Sequence, residues 1–202
     1  MCDLVLASKS PRRQELLKLL GHPFSVIISD IEENMIEHET PARHVIRLSE
    51  NKARSVGGRL ESGIVIGSDT IVVLDSEILG KPSTPDEAEE MLGKLQNRTH
   101  RVFTGFALFD VTSGRMVSDY ETTEVTIRAM TLGLIRLYVR TGEPLDKAGS
   151  YGIQGYGSAL VTSIKGCYFT VMGLPLAKLM ESLHTFSGGR YGYFGITTEL
   201  HT

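Results

Sequence analysis

Apolar positions along the chain fall into two spacings, short strand-like runs and longer stretches with helical periodicity. Residues 3–7 (DLVLA) form a short apolar run of the kind buried in a sheet. Ser10-Pro11 then opens a helix, serine as N-cap and proline at the first helical position; Leu16, Leu17, Leu19 and Leu20 supply its apolar face and Gly21 ends it. Residues 24–28 give a second strand and residues 30–39 an acidic loop. Thr40-Pro41 repeats the cap logic for a helix running to Gly57-Gly58. Residues 64–66 and 71–74 are strand-like on either side of Gly67-Ser68-Asp69-Thr70, and Gly80-Lys81-Pro82 is a turn.

Thr84-Pro85-Asp86-Glu87 reads as a capping box ahead of a helix carrying Met91, Leu92 and Leu95. Residues 100–111 and 116–128 read as a β-hairpin around Thr112-Ser113-Gly114. Thr131 caps a helix ending near Gly142, and an irregular glycine-rich stretch covers residues 147–157. Strands follow at 159–164 and near 168–171, then a last helix over 174–184. From Ser187 the tail holds four glycines and is expected to pack loosely. This mixture predicts an α/β protein: residues 1–186 as one domain with two lobes sharing a sheet, and residues 187–202 as a glycine-rich tail.

Composition narrows the function classes. At 202 residues, 41% apolar and 22% charged, the chain can build a core without a staple of disulfides or metal. A net charge of −3 gives no bulk attraction for a nucleic-acid polymer, so an anionic ligand needs a local cluster of cations. The two cysteines, Cys2 and Cys167, lie far apart without metal-ligand spacing, which suits a reduced cytoplasmic protein. The first residues have no basic segment of a signal peptide, and no apolar run nears the roughly 20 residues of a membrane span. A soluble protein is expected.

Three clusters carry candidate chemistry. Ser8-Lys9-Ser10-Pro11-Arg12-Arg13 sits between a strand end and a helix start, where free N–H groups and the helix dipole favour phosphate. Two arginines there oppose the dipole unless an anion completes the site; two solvated arginines and a serine cap would read the same. Asp69 falls between two β-branched runs, where a carboxylate either binds a cation or closes a turn. The acidic loop with Asp30, Glu32 and Glu33 offers hard oxygen donors for a divalent cation, or is simply solvated. Lys52 and Lys81 would add charge if they reach the site, although both also read as surface lysines. Gln154, in a glycine-rich segment, has both a donor and an acceptor with which to read a base edge, or lies on a flexible loop.

Seven stretches, in order, resemble the Maf family of nucleoside triphosphate pyrophosphatases: LASKSPRR (6–13), SDIEEN (29–34), RLSENKA (47–53), VIGSDTIVVLDSEILGKP (65–82), HRVFTG (100–105), GEPLDKAGSYGIQG (142–155) and VMGLP (171–175). The resemblance implies an elongated Maf/ITPase-like fold, a mixed sheet with flanking helices and two lobes around a central cleft, often as a homodimer. It implies hydrolysis of a nucleoside triphosphate to the monophosphate and pyrophosphate with a divalent cation, Mg²⁺ or Mn²⁺. Carried over by position, Asp69 is the general base, Glu33 and Asp69 lie near the metal, and Ser8, Arg12, Arg13, Lys52 and Lys81 bind phosphates.

Members acting on dTTP and UTP resemble this chain at Arg12, Thr70 and Gln154, whereas those preferring 7-methyl-GTP carry an aromatic, Gln and Glu there. The expected substrates are therefore dTTP and UTP, with modified pyrimidine nucleotides beside them. Ser68 stands where the pyrimidine type usually has alanine, an echo of the other branch. Gly166-Cys167-Tyr168-Phe169-Thr170 replaces the family's common Gly-Asp-Tyr-x-Asn. The alternatives are a 7-methyl-GTP pyrophosphatase and a nucleotide-binding regulator of septum formation.

Overall fold

A computed structural model describes residues 4–196; Cys2 and Asp3, used in the sequence reading, lie outside them. The strands form a seven-stranded mixed sheet. Leu4–Ala7 (β1) pairs in parallel with Ser25–Val26 (β2) on one side and Ile64–Leu74 (β3) on the other, with Leu4 opposite Ile64 and Ala7 opposite Gly67. β3 also pairs antiparallel with Glu77–Leu79 (β4). The order continues from β3 through Thr99–Asp110 (β5) and Met116–Ile127 (β6) to Val161–Lys165 (β7).

Helices Pro11–Lys18 (α1) and Pro41–Gly57 (α2) follow β1 and β2, and Pro85–Leu95 (α3), Leu132–Val139 (α4), Tyr168–Met172 (α5) and Leu176–Phe186 (α6) complete the set. Serine or threonine caps start four of them: Ser10, Thr40, Thr84 and Thr131 each accept an N–H three residues on. The box at α3 is completed one residue early, because the Glu87 carboxylate takes the Ser83 N–H at 2.6 Å.

The chain divides into two compact units. The first holds the described residues up to Asp69, then Thr104–Glu121 and those from Gly173 on; the second holds Thr70–Phe103 and Thr122–Met172. In the first, Val5, Ala7, Ala53, Val56, Val65 and Ala107 form a core between α2 and the sheet. In the second, Val72, Leu92, Leu95, Val125, Ile135 and Leu160 belong to a larger one. Each fully buried Val or Leu contributes about 1.5–3 kcal/mol.

Three expectations change. The two runs around residues 67–70 are one strand of 11 residues, because Gly67, Ser68 and Asp69 are buried with partners rather than looped out. Residues 168–171 are helical, not a strand: β7 ends before Gly166, whose φ of +128° turns the chain, and Thr123 Oγ1 donates to the Cys167 carbonyl at 2.9 Å. The tail is not loose as far as residue 196. Tyr191 is buried, and His22 Nε2 lies 2.7 Å from the Gly192 carbonyl oxygen. Positive φ at Gly188, Gly189 and Gly195 folds the segment back; residues 197–202 lie outside the description.

Candidate active site

The first unit assembles its charged residues through the register of its strands. β1 stops at Ala7, opposite Gly67, while β3 runs on through Asp69. The loop after β1 therefore opens at the level of Asp69. Its Ser8 is buried, and the Ser8 hydroxyl accepts the Ser10 N–H at 3.1 Å, which leaves the hydroxyl proton available to a ligand. Arg12 and Arg13 stand in the first turn of α1, which holds no acidic residue.

Helix α2 supplies the next element. Its buried positions include Val45, Leu48, Lys52, Ala53 and Val56, one helical stripe with a lysine in it. The helix lies close against the sheet because Gly67 and Gly105 have no side chain: a Cβ at Gly67 would meet the Ala53 nitrogen at 2.9 Å, and one at Gly105 the Val45 carbonyl oxygen at 2.5 Å. Lys52, readable as a surface lysine, is consequently 6% exposed.

Its ammonium lies 2.6 Å from Asp69 Oδ1 and 2.7 Å from Glu33 Oε1. Asp69 is itself buried, while the Glu33 side chain is half-exposed. The acidic loop is thus only partly a solvated segment. Its end is also fixed, because Glu39 receives a two-point contact from Arg47 Nε and Nη2 at 2.7 and 2.6 Å, with His44 Nδ1 at 3.0 Å. Those hydrogen bonds, Arg47 first, hold the Glu39 carboxyl below its usual range.

Arg13 belongs to the same electrostatic group. Burial lowers its pKa, Asp69 and Glu33 oppose that shift, and Arg12 adds to it. Its Nε donates to the Gly173 carbonyl at 2.8 Å, which fixes the guanidinium plane. The Ser68 hydroxyl reaches the same carbonyl at 3.0 Å and that of Gly105 at 2.8 Å. Adjacent strand positions face opposite sides of a sheet, so Ser68 points away from Asp69. It holds the backbone together behind the site.

The second unit holds the other candidates. Thr70 follows Asp69 on β3, and Lys81 is exposed in the turn after β4. Gln154 is exposed within the segment of residues 147–157, which forms short 3-10 turns. The Gly149 N–H donates to the Gly80 carbonyl at 2.9 Å, so the turn bearing Lys81 and the segment bearing Gln154 are neighbours.

Four polar groups here had no sequence assignment: Glu143, Tyr138, His100 and Tyr151. Glu143 lies within a quoted motif but received no role, and Tyr138 sits on the apolar face of α4, where spacing alone marks it as core. His100 Nε2 lies 2.7 Å from the Tyr151 hydroxyl, both side chains buried.

As oxygen donors, Glu33 and Asp69 suit a hard divalent cation that takes its remaining ligands from phosphate and water. Among the described residues no cluster of three or more His, Cys, Asp or Glu forms a ready-made metal site. No helix among them is long and apolar enough to cross a membrane.

Comparison with known proteins agrees with this architecture. A family profile described as Maf-like protein matches residues 3–186. The chain is 48% identical to the dTTP/UTP pyrophosphatase of Desulforamulus reducens over 186 residues, 92% of this chain and 97% of that one. It is 48% identical to the dTTP/UTP pyrophosphatase of Bacillus cytotoxicus over 189 residues, 94% of this chain and 98% of the other. The structure of the Staphylococcus aureus Ham1 protein superposes with a TM-score of 0.52 at 15% identity, covering 93% of this chain and 98% of that one, a likeness of fold.

Proposed function

The chain belongs to the Maf family, and from that premise we propose that it hydrolyses dTTP and UTP between the α- and β-phosphates, releasing the monophosphate and pyrophosphate. The observation that carries this reading is the buried Lys52–Asp69 pair, with Glu33 on the same ammonium and Arg13 in its field.

In this reading Asp69 accepts a proton from the attacking water. Lys52 holds the carboxylate in place and adds positive charge where phosphate charge develops. Ser8 and the N–H groups opening α1 bind phosphate oxygens, and Arg12, Arg13 and Lys81 offset the triphosphate charge. Thr70 and Gln154 recognise the nucleoside, the amide matching the donor–acceptor edge shared by uracil and thymine. Glu33 and Asp69 would hold a divalent cation, which when bound polarises phosphate oxygens and activates water.

Ser68 gives no support to the 7-methyl-GTP reading, since its hydroxyl is committed to two backbone carbonyls behind Asp69. Pyrophosphate release across a panel of natural and modified triphosphates, with Mg²⁺ or Mn²⁺, tests the proposal. Preferential turnover of dTTP and UTP is expected; preference for 7-methyl-GTP would remove the pyrimidine assignment.

A further inference from the structure

The second unit holds a carboxylate that the phosphate chemistry does not use. Glu143 follows Gly142 in a short 3-10 turn, and its side chain collects three donors. Oε1 accepts the Tyr138 hydroxyl at 2.8 Å and the Gly157 N–H at 2.9 Å, while Oε2 accepts the Tyr156 N–H at 2.8 Å. The Tyr138 oxygen in turn accepts the Gly152 N–H at 3.1 Å. Gln154 lies between these anchors, with Gly152 on one side and Tyr156 and Gly157 on the other.

The glycines confirm how tightly the turn is held. Gly155 has φ +65° and sits against Glu143, with no room for a Cβ, and a Cβ at Gly157 would meet the Tyr138 hydroxyl at 2.5 Å. Burial opposes the charge on Glu143, but the Gly157 and Tyr156 N–H groups and the Tyr138 hydroxyl outweigh it and keep the carboxyl below its ordinary range. Gln154 itself is exposed at the tip of this fixed turn.

We propose that Tyr138 and Glu143 are positioning residues for base binding: their hydrogen bonds pin both flanks of the Gln154 turn so that its amide stands in a fixed place to meet the pyrimidine base. This rests on the hydrolase reading above. A glutamine amide matches the N3–H and O4 of uracil or thymine in one orientation and the N3 and amino group of cytosine when flipped. Rotation of the amide exchanges the two patterns, so what the held turn supplies is the place of the amide before the base arrives, not its orientation.

Tyr138→Phe removes one oxygen and keeps the ring; Glu143→Gln puts an amide nitrogen against an N–H donor. In both variants KM for dTTP should rise about five- to tenfold, with kcat at saturation within about twofold of wild type. Competitive inhibition by tripolyphosphate, which has the anhydrides but no base, should stay unchanged. Hydrogen exchange at the Gly152, Tyr156 and Gly157 amides should accelerate.

Unchanged KM for dTTP in both variants would overturn the proposal, as would an equal weakening of tripolyphosphate binding, the mark of general loosening. If the wild-type protein does not turn over dTTP, the hydrolase reading fails by itself. The clamp is then judged by amide exchange, where unchanged protection at the three amides overturns it.

Discussion

Lys52 Nζ lies 2.6 Å from Asp69 Oδ1, and each side chain is only 7% exposed. Removing one partner of a buried pair costs about 3–5 kcal/mol where the other charge is left alone; here Glu33 stays 2.7 Å from the Lys52 ammonium, so the loss should be smaller. Asp69→Asn should therefore abolish pyrophosphate release and also lower the urea midpoint. Combining it with Lys52→Met, which also removes the partner of the half-exposed Glu33, should leave activity lost. A double variant that regained turnover would show that the carboxylate is not the base.

Gly67 controls how closely α2 meets β3, and through that the reach of Lys52 to Asp69. Gly67→Ala must push the helix away from backbone atoms that cannot yield. A destabilisation of about 3 kcal/mol is expected in thermal unfolding, together with loss of activity.

Ser68 faces away from Asp69 and donates to the Gly105 and Gly173 carbonyls. Ser68→Ala should lower stability by about 1 kcal/mol and leave the ratio of dTTP to 7-methyl-GTP turnover as in wild type. A shifted ratio would mean that this position reads the substrate.

His100 supplies a pH test. Burial lowers its pKa from 6.5 to about 4, so the folded protein favours the neutral ring. Between those values the unfolded chain binds the extra proton and the folded one does not, so stability falls as pH is lowered through that window, by about 3 kcal/mol in all. Denaturant midpoints measured from pH 7 to pH 4 should decline more steeply for the wild type than for His100→Gln.

The helix starts were legible because Ser10, Thr40, Thr84 and Thr131 stand one residue before regular apolar spacing, and the caps form as that chemistry requires. Asp69 was legible as an expensive carboxylate, but not the strand running through it, since local polarity reads as a break until Lys52 is known to reach it. That lysine had a signal: it falls on the stripe of Val45, Leu48 and Val56, the face helical periodicity buries. The Tyr138–Glu143 contact had none, because a tyrosine on an apolar face does not show where its hydroxyl points. Residues 168–172 carry strand-favouring side chains and form a helix, a local preference overruled by the turn at Gly166.

In the proposed reaction water attacks the α-phosphorus, with Asp69 as the base. Turnover of dTTP in water labelled with heavy oxygen, followed by mass analysis of both products, tests it directly. The label is expected in thymidine monophosphate, with pyrophosphate unlabelled and turnover lost in Asp69→Asn; label in pyrophosphate, or undiminished turnover by that variant, would contradict it.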